Sequence, residues 1–295
     1  MSAVRAGRYR ALMFSPLAIG AMVCAGLSGA GEARAAEIKT AKVTAVYSIN
    51  FNGMSVGQFS LTANLADHRY NLIGDAKISL LAGLIFEWNG KTSSTGRVIN
   101  RGPLPSAYSF GYTTSDKGEQ INVKFSDNVV REIAVNPPPR PSAARIPMTR
   151  QHMQNVVDPL SAVLILSNVG AERTGAEVCN RHLPIFDGKA RYDLHLSYKR
   201  TKQVKTGDGY KGPAYVCKVK YIPIAGHRPG DEESGYAAKN EAIEVWMIPI
   251  SQSGLFVPYY IYIPTPVGAA SLTAVRFDVN VPGFGRRARV EAEVE

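Results

Sequence analysis

Few side chains in this sequence have the type and spacing needed for chemistry. It lacks the G-x-S-x-G, S-x-x-K and H-E-x-x-H motifs, and no glycine-rich phosphate loop follows a strand. The histidines lack the spacing of metal ligands, so the sequence predicts no metal site, no cofactor and no catalytic residue. These five residues are His68, His152, His182, His195 and His227.

One nucleophile–acid pair deserves weighing, since Ser161 follows Asp158 closely and catalytic residues need not be contiguous in sequence. A helix cap explains Asp158 more simply, because Pro159 after it suits the first position of a helix. His195 lies out of phase with its apolar neighbours, which predicts that it faces solvent or a polar lining. We therefore do not favour an enzyme.

The first 35 residues have the features of a secretory signal peptide. Arg5, Arg8 and Arg10 precede an apolar stretch over residues 11–31, and an A-x-A pattern ends at Ala35. We predict cleavage there and a periplasmic protein, with an uncleaved membrane anchor as the alternative. In an oxidising compartment, Cys179 and Cys217 are expected to form a disulfide rather than two buried thiols.

Alternation of apolar and polar residues dominates the chain from Val43 onward. A first strand ends at Phe51, and the pattern resumes at Phe59 after Asn52-Gly53, a dipeptide typical of hairpin turns. Short strands at regular spacing indicate an antiparallel barrel or sandwich. We predict an all-β fold with a single, strongly curved or barrel-like antiparallel sheet. Its further strands are expected at 70–79, 87–98, 106–114, 120–126, 129–135, 177–186, 190–199, 214–223, 241–250, 259–264 and 270–279.

A single short helix is predicted over residues 159–168. Its apolar residues lie on all sides, which is typical of a buried helix. A proline-rich connector over 136–147 precedes it and is excluded from a central strand. We predict one domain over residues 36–280 and a flexible tail or edge strand over 281–295.

Apolar and aromatic residues suggest a ligand cavity on the concave face of this sheet, with core packing as the alternative. The predicted ligand would be a lipid or an acyl chain. The predicted lining consists of Tyr47, Phe51, Leu81, Leu84, Phe86, Trp88, Tyr108, Leu164, Trp246 and Tyr260.

Positive charge concentrates in residues 189–220, which hold nine Lys and Arg against two Asp. Lysines of this kind keep a sheet edge soluble, or they contact an anionic membrane surface. The contact residues predicted by the second hypothesis are Lys199, Arg200, Lys202 and Lys205. Nucleic acid is discounted as a partner of an exported protein.

Residues 47–57 resemble the start of the domain-of-unknown-function family 3108. Pro105 with Tyr108, the opening of the helix at 158–162 and the residues 244–246 are similar to that family as well. The resemblance covers about 42–277. It implies a β-rich exported bacterial domain with no assigned activity and no catalytic residue to transfer.

Three functions follow as hypotheses. The first is non-catalytic binding of an apolar envelope molecule in the concave face of the sheet. The second is an assembly or structural factor that pairs its sheet edge with an unidentified protein partner. The third is a hydrolase of an envelope polymer, which requires a cleft at His182, His195 or Asp158.

Overall fold

The computed structural model describes residues 40–80, 86–99, 102–139, 144–168, 175–205, 210–230, 232–250, 255–280 and 288–291. The predicted signal peptide, Leu81 and Leu84 lie outside them. Within these ranges no helix combines the length and hydropathy needed to cross a membrane. Most of the described residues belong to strands, as their alternating pattern predicts.

The first half of the chain forms seven consecutive strands, each paired with the next. The turn Asn52-Gly53 joins the first two, and both of its residues have positive φ. The strands are β1 (Thr40–Phe51), β2 (Met54–Ala66), β3 (Arg69–Leu80), β4 (Phe86–Ile99), β5 (Gly102–Thr114), β6 (Gly118–Ser126) and β7 (Val129–Asn136).

The second half supplies the remaining strands. Residues 177–179, the start of the strand predicted over 177–186, instead belong to a 3₁₀ helix, Gly175–Cys179, which packs on the strands over 191–205 and 211–225. The strands are β8 (Arg181–Phe186), β9 (Arg191–Lys205), β10 (Lys211–Ala225), β11 (Glu244–Pro249), β12 (Phe256–Thr265), β13 (Gly268–Asn280) and β14 (Ala288–Glu291).

All the strands join one antiparallel sheet that is not closed. Its order is β7-β6-β5-β4-β3-β2-β1-β13-β12-β11-β10-β9-β8, and β14 pairs with β13. The pairing of β1 with β13 therefore joins the two halves of the chain into one continuous sheet. The open seam lies between the edge strands β7 and β8. The all-β prediction is confirmed.

A short segment before the helix spans this seam. Gln154 forms a bridge with Val129 of β7, and Val157 forms a parallel bridge with Ile185 of β8. An ion pair between Lys189 and Glu119 also links the β8–β9 turn to β6, with 2.6 Å between nitrogen and oxygen. The two edges are therefore held together without pairing strand to strand.

Helix α1 (Pro159–Leu166) packs between two apolar clusters. Leu160 and Leu164 belong to the larger cluster, which is formed mainly by β1–β6 and β13. Ala162 belongs to the second cluster, with strands β8–β12. Burial on all sides agrees with its sequence pattern. A second helix, α2 (Glu232–Lys239), lies in a segment for which we predicted neither a strand nor a helix.

Cys179 and Cys217 form a disulfide, as predicted. Both cysteines are fully buried in the second cluster. The bond attaches the 3₁₀ helix to β10. It therefore fixes the 3₁₀ helix that comes directly before β8.

Candidate functional site

The N-terminus of α1 is anchored to the sheet by buried hydrogen bonds. Asp158 Oδ1 accepts hydrogen bonds from the backbone N–H groups of Leu160 and Ser161, at 3.0 and 2.8 Å. Its Oδ2 accepts from the hydroxyls of Ser94 and Ser161, at 2.9 and 2.5 Å. Tyr70 Oη lies 2.7 Å from Ser161 Oγ. The cap thus also connects the helix to β3 and β4.

This geometry assigns the Asp158–Ser161 pair a structural role. Both side chains have no exposed surface, so a substrate has no access to them. Burial raises the pKa of Asp158, and the hydrogen bonds that it accepts oppose that change. The pair anchors the helix.

An apolar pocket lies between α1 and the sheet, with a volume of about 50 Å³. Ligand pockets for whole small molecules are usually about 300–1,000 Å³. This pocket therefore has room for a few methylene groups rather than for a complete lipid. Its lining includes Val43, Tyr47, Leu61, Leu164, Val257 and Phe277.

Tyr47 closes one side of the pocket without adding an unpaired polar group. Its hydroxyl donates a hydrogen bond to the Pro258 carbonyl at 3.0 Å, and burial raises its pKa. Its ring also contacts Phe59, with the centroids 6.0 Å apart. The pocket therefore borders on a second group of aromatic side chains.

We call this group, formed by Phe59, Trp88, Phe110 and Tyr112, the aromatic row. Strand pairing and alternation place it on the same face of the sheet as Ser94, which contacts α1. The centroid of the Trp88 ring lies 6.5 Å from that of Phe110 and 6.0 Å from that of Tyr112. All four side chains are only partly buried.

Small residues make space for these rings. The Trp88 ring lies against Gly90, where an added Cβ would approach its Cη2 atom to 2.2 Å. Phe59 covers Gly74 in the same way, with a Cβ approach of 2.9 Å to its Cε2 atom. On this face glycine permits the aromatic rings to lie flat along the sheet.

Of the ten residues predicted to line a cavity, the eight that the structure describes do not form one site. Tyr47 and Leu164 line the pocket, and Trp88 belongs to the aromatic row. Tyr108 is buried on the face that contacts α1, Phe51 is half-buried at the end of β1, and Phe86 is 40% exposed.

Trp246 and Tyr260 form a separate pair, with ring centroids 5.0 Å apart. The sequence prediction missed Phe59, Phe110 and Tyr112. The available signal was the spacing of Tyr108, Phe110 and Tyr112, which places all three on one face of β5.

The basic residues of β9 are only partly free to contact other molecules. Lys199 and Arg200 form ion pairs with Glu244, at 2.9 and 2.8 Å. Trp246 Nε1 donates to the same carboxylate, and Lys202 Nζ lies 4.9 Å from the centroid of the Trp246 ring. Burial would raise the pKa of Glu244, but the hydrogen bonds from Arg200, Lys199 and Trp246 lower it to about 2.

The fourth predicted contact residue, Lys205, is exposed at the end of β9. His182 and His195, to which the sequence assigned no role as metal ligands, lie side by side near Asp193. Their spacing along the chain concealed this, because a hairpin brings them together.

The sequence model of the family DUF3108, which is described as a protein family of unknown function, matches residues 46–275. The chain belongs to this family. A DUF3108 resemblance is thus confirmed. Among solved structures, a β-barrel-like protein of the domain of unknown function DUF1849 from Brucella abortus is similar at 10% identity. The match has a TM-score of 0.45 and covers 81% of this chain and 98% of that chain. A comparison with curated proteins found no match.

Proposed function

We propose that this DUF3108 protein binds an apolar molecule, a lipid or an acyl chain, without catalysing a reaction. The observation that supports this best is the half-buried aromatic row beside the apolar pocket. Partly exposed apolar surface that borders on a cavity is typical of binding sites. The end of the ligand's acyl chain would enter the pocket, and the rest of the acyl chain would lie along the aromatic row.

The chemistry of the lining favours an apolar ligand. The hydroxyl of Tyr47 already donates to Pro258, so it does not call for a polar ligand group. Aromatic faces pack against methylene groups over a large area at little entropic cost. Because the pocket has a volume of about 50 Å³, most of the ligand would lie outside it, along the aromatic row.

We further propose that the protein acts in the periplasm. The features of residues 1–35 support export, and the buried disulfide suits an oxidising compartment. Two exposed lysines, Lys205 and Lys211, form the last described pair of the β9–β10 hairpin and would then contact an anionic membrane surface.

The two tryptophans of the chain provide a direct test, because Trp88 lies in the aromatic row and Trp246 does not. A fatty acid brominated along its chain quenches only the tryptophans that it contacts. In the Trp246→Phe variant, which retains Trp88, we expect saturable quenching of fluorescence by this probe.

The matched control is Trp88→Phe, which retains Trp246 and should show no saturable quenching. Native mass spectrometry of both variants reports whether the fatty acid is bound. Absence of quenching at Trp88, or equal quenching in both variants, would overturn the proposed site.

A second candidate function, assembly through the sheet edge, is supported by β7. This strand ends the sheet, and most of its side chains are exposed. A photo-reactive residue in place of Ala134 would then form cross-links to an envelope protein in cells. The same residue in place of Asp75, on the central strand β3, should not; equal yields would reject this candidate.

A further inference from the structure

We propose that His182, Asp193 and His195 form a binding site for a divalent transition-metal ion. His182 of β8 pairs directly with His195 of β9, and Asp193 lies two residues from His195 on the same face. The imidazole centroids are 4.4 Å apart. One donor atom from each side chain lies within 4.8 Å of the other two.

The distances leave room for an ion after a small adjustment. His182 Nε2 lies 2.8 Å from Asp193 Oδ2, and His195 Nε2 lies 4.0 Å from the same oxygen. Tetrahedral Zn²⁺ binds nitrogen and oxygen at about 2.0–2.2 Å, which separates its ligands by roughly 3.4 Å. Side-chain rotations that move these donor atoms by up to about 1 Å would meet this requirement.

The donor types select the ion. Two imidazoles and one carboxylate suit Zn²⁺, Cu²⁺ or Ni²⁺ better than Mg²⁺ or Ca²⁺, which prefer oxygen ligands. The side chains of His182 and His195 are 55% and 50% exposed. Water can therefore complete the coordination, and the ion can reach the site from solvent.

A neighbouring arginine orients the carboxylate. Arg191 Nη1 donates to Asp193 Oδ1 and also to the Tyr192 carbonyl, the latter at 2.6 Å. This interaction leaves Asp193 Oδ2 directed towards both histidines. Such outer contacts are usual for carboxylate ligands of metals. Arg191 and Lys220, which pairs with His195, add positive charge and limit the affinity.

Zn²⁺ is the probe for the test, with tag-free protein. We expect isothermal titration calorimetry to give one ion per chain at neutral pH. Zn²⁺ should also raise the melting temperature, because it binds only the folded arrangement of the two strands. His182→Ala and His195→Ala should each abolish both effects.

The matched control is His152→Ala, which removes a histidine remote from these strands in sequence and should retain the binding. The melting temperatures without metal show whether the variants fold, and substitutions at the exposed His182 and His195 should leave them unchanged. If a variant is destabilised, NMR of the unmodified protein tests the site instead. Zn²⁺ should then shift the imidazole signals of His182 and His195. Absence of binding, or unchanged binding in both site variants, would overturn the proposal.

Discussion

The two ends of the face that contacts α1 differ in how completely they are packed. At the helix end, Ser94, Asp158 and Ser161 are fully buried and linked by hydrogen bonds. Trp88 lies six residues from Ser94 along β4, which is about 20 Å in an extended strand, and it is only half-buried. The same face thus has a fully packed, hydrogen-bonded end and an end whose aromatic side chains remain partly exposed.

Because of this difference, we expect the helix end to contribute mainly to stability and the aromatic row mainly to ligand binding. The helix end leaves no described polar group of the Asp158 network without a partner, so a change there costs folding free energy. The aromatic row makes fewer contacts, and an apolar molecule would add to them. Substitutions at the two ends are therefore expected to affect different measurements.

The largest effect on stability is expected from the disulfide, which lies in the same apolar cluster as Ala162 of α1. Replacing Cys179 and Cys217 together by Ala removes a link between residues 38 positions apart. The chain-entropy model predicts a loss of about 4 kcal/mol in unfolding free energy. Urea unfolding measures it, and reduction of the unmodified protein is the control. An unchanged midpoint in both cases would contradict the prediction.

Asp158→Ala should lower the unfolding free energy by about 3 kcal/mol. The change removes the helix cap and leaves two buried hydroxyls without their acceptor. Asp158→Asn, which retains one acceptor oxygen, should cost clearly less. Chemical denaturation compares the two variants; equal losses would mean that the hydrogen bonds contribute little.

Glu244→Gln should lower the unfolding free energy by about 2 kcal/mol, because the variant loses the charge that forms ion pairs with Lys199 and Arg200. The pKa of Glu244 falls from 4.5 to about 2 on folding. Its carboxylate therefore stabilises the fold above pH 4.5, and this contribution disappears as the pH drops towards 2. Denaturation at several pH values should show this loss in the unmodified protein and not in the variant.

The smallest change in stability is expected at the aromatic row. Trp88→Ala should cost only about 1 kcal/mol, because the ring is half-buried. Binding of a fluorescent fatty acid should nevertheless weaken by about tenfold or more. Ile73→Ala, on the exposed face of β3, is the control and should leave the affinity unchanged. A large stability loss with unchanged affinity would place Trp88 with the helix end instead.

Sequence patterns predicted the sheet and helix α1 well, since both depend on local signals. Asn52-Gly53 and alternation determine the first hairpin, and Asp158-Pro159 determines the helix start. Helix α2 was missed because its start, Glu232, lies in an acidic run that also suits a loop. The 3₁₀ helix that ends at Cys179 depends on tertiary packing that the pattern does not contain.

The site was less predictable, because it depends on pairing between distant residues. Trp246 and Trp88 look alike in sequence, but strand pairing brings Trp88 beside the other rings of the aromatic row and Trp246 beside Tyr260. His182 and His195 become neighbours only when the β8–β9 register is known. That register centres on the turn at Gly188, whose positive φ permits it.

The pairing of β1 with β13 has a consequence for the order in which the sheet is completed. Val43 pairs with Val279, so β1 waits for almost the last described part of the chain before its second edge is satisfied. Until then the seven-strand meander presents an open apolar-backed edge, the kind of surface on which chains aggregate. A chain truncated before residue 268 would retain that hazard permanently.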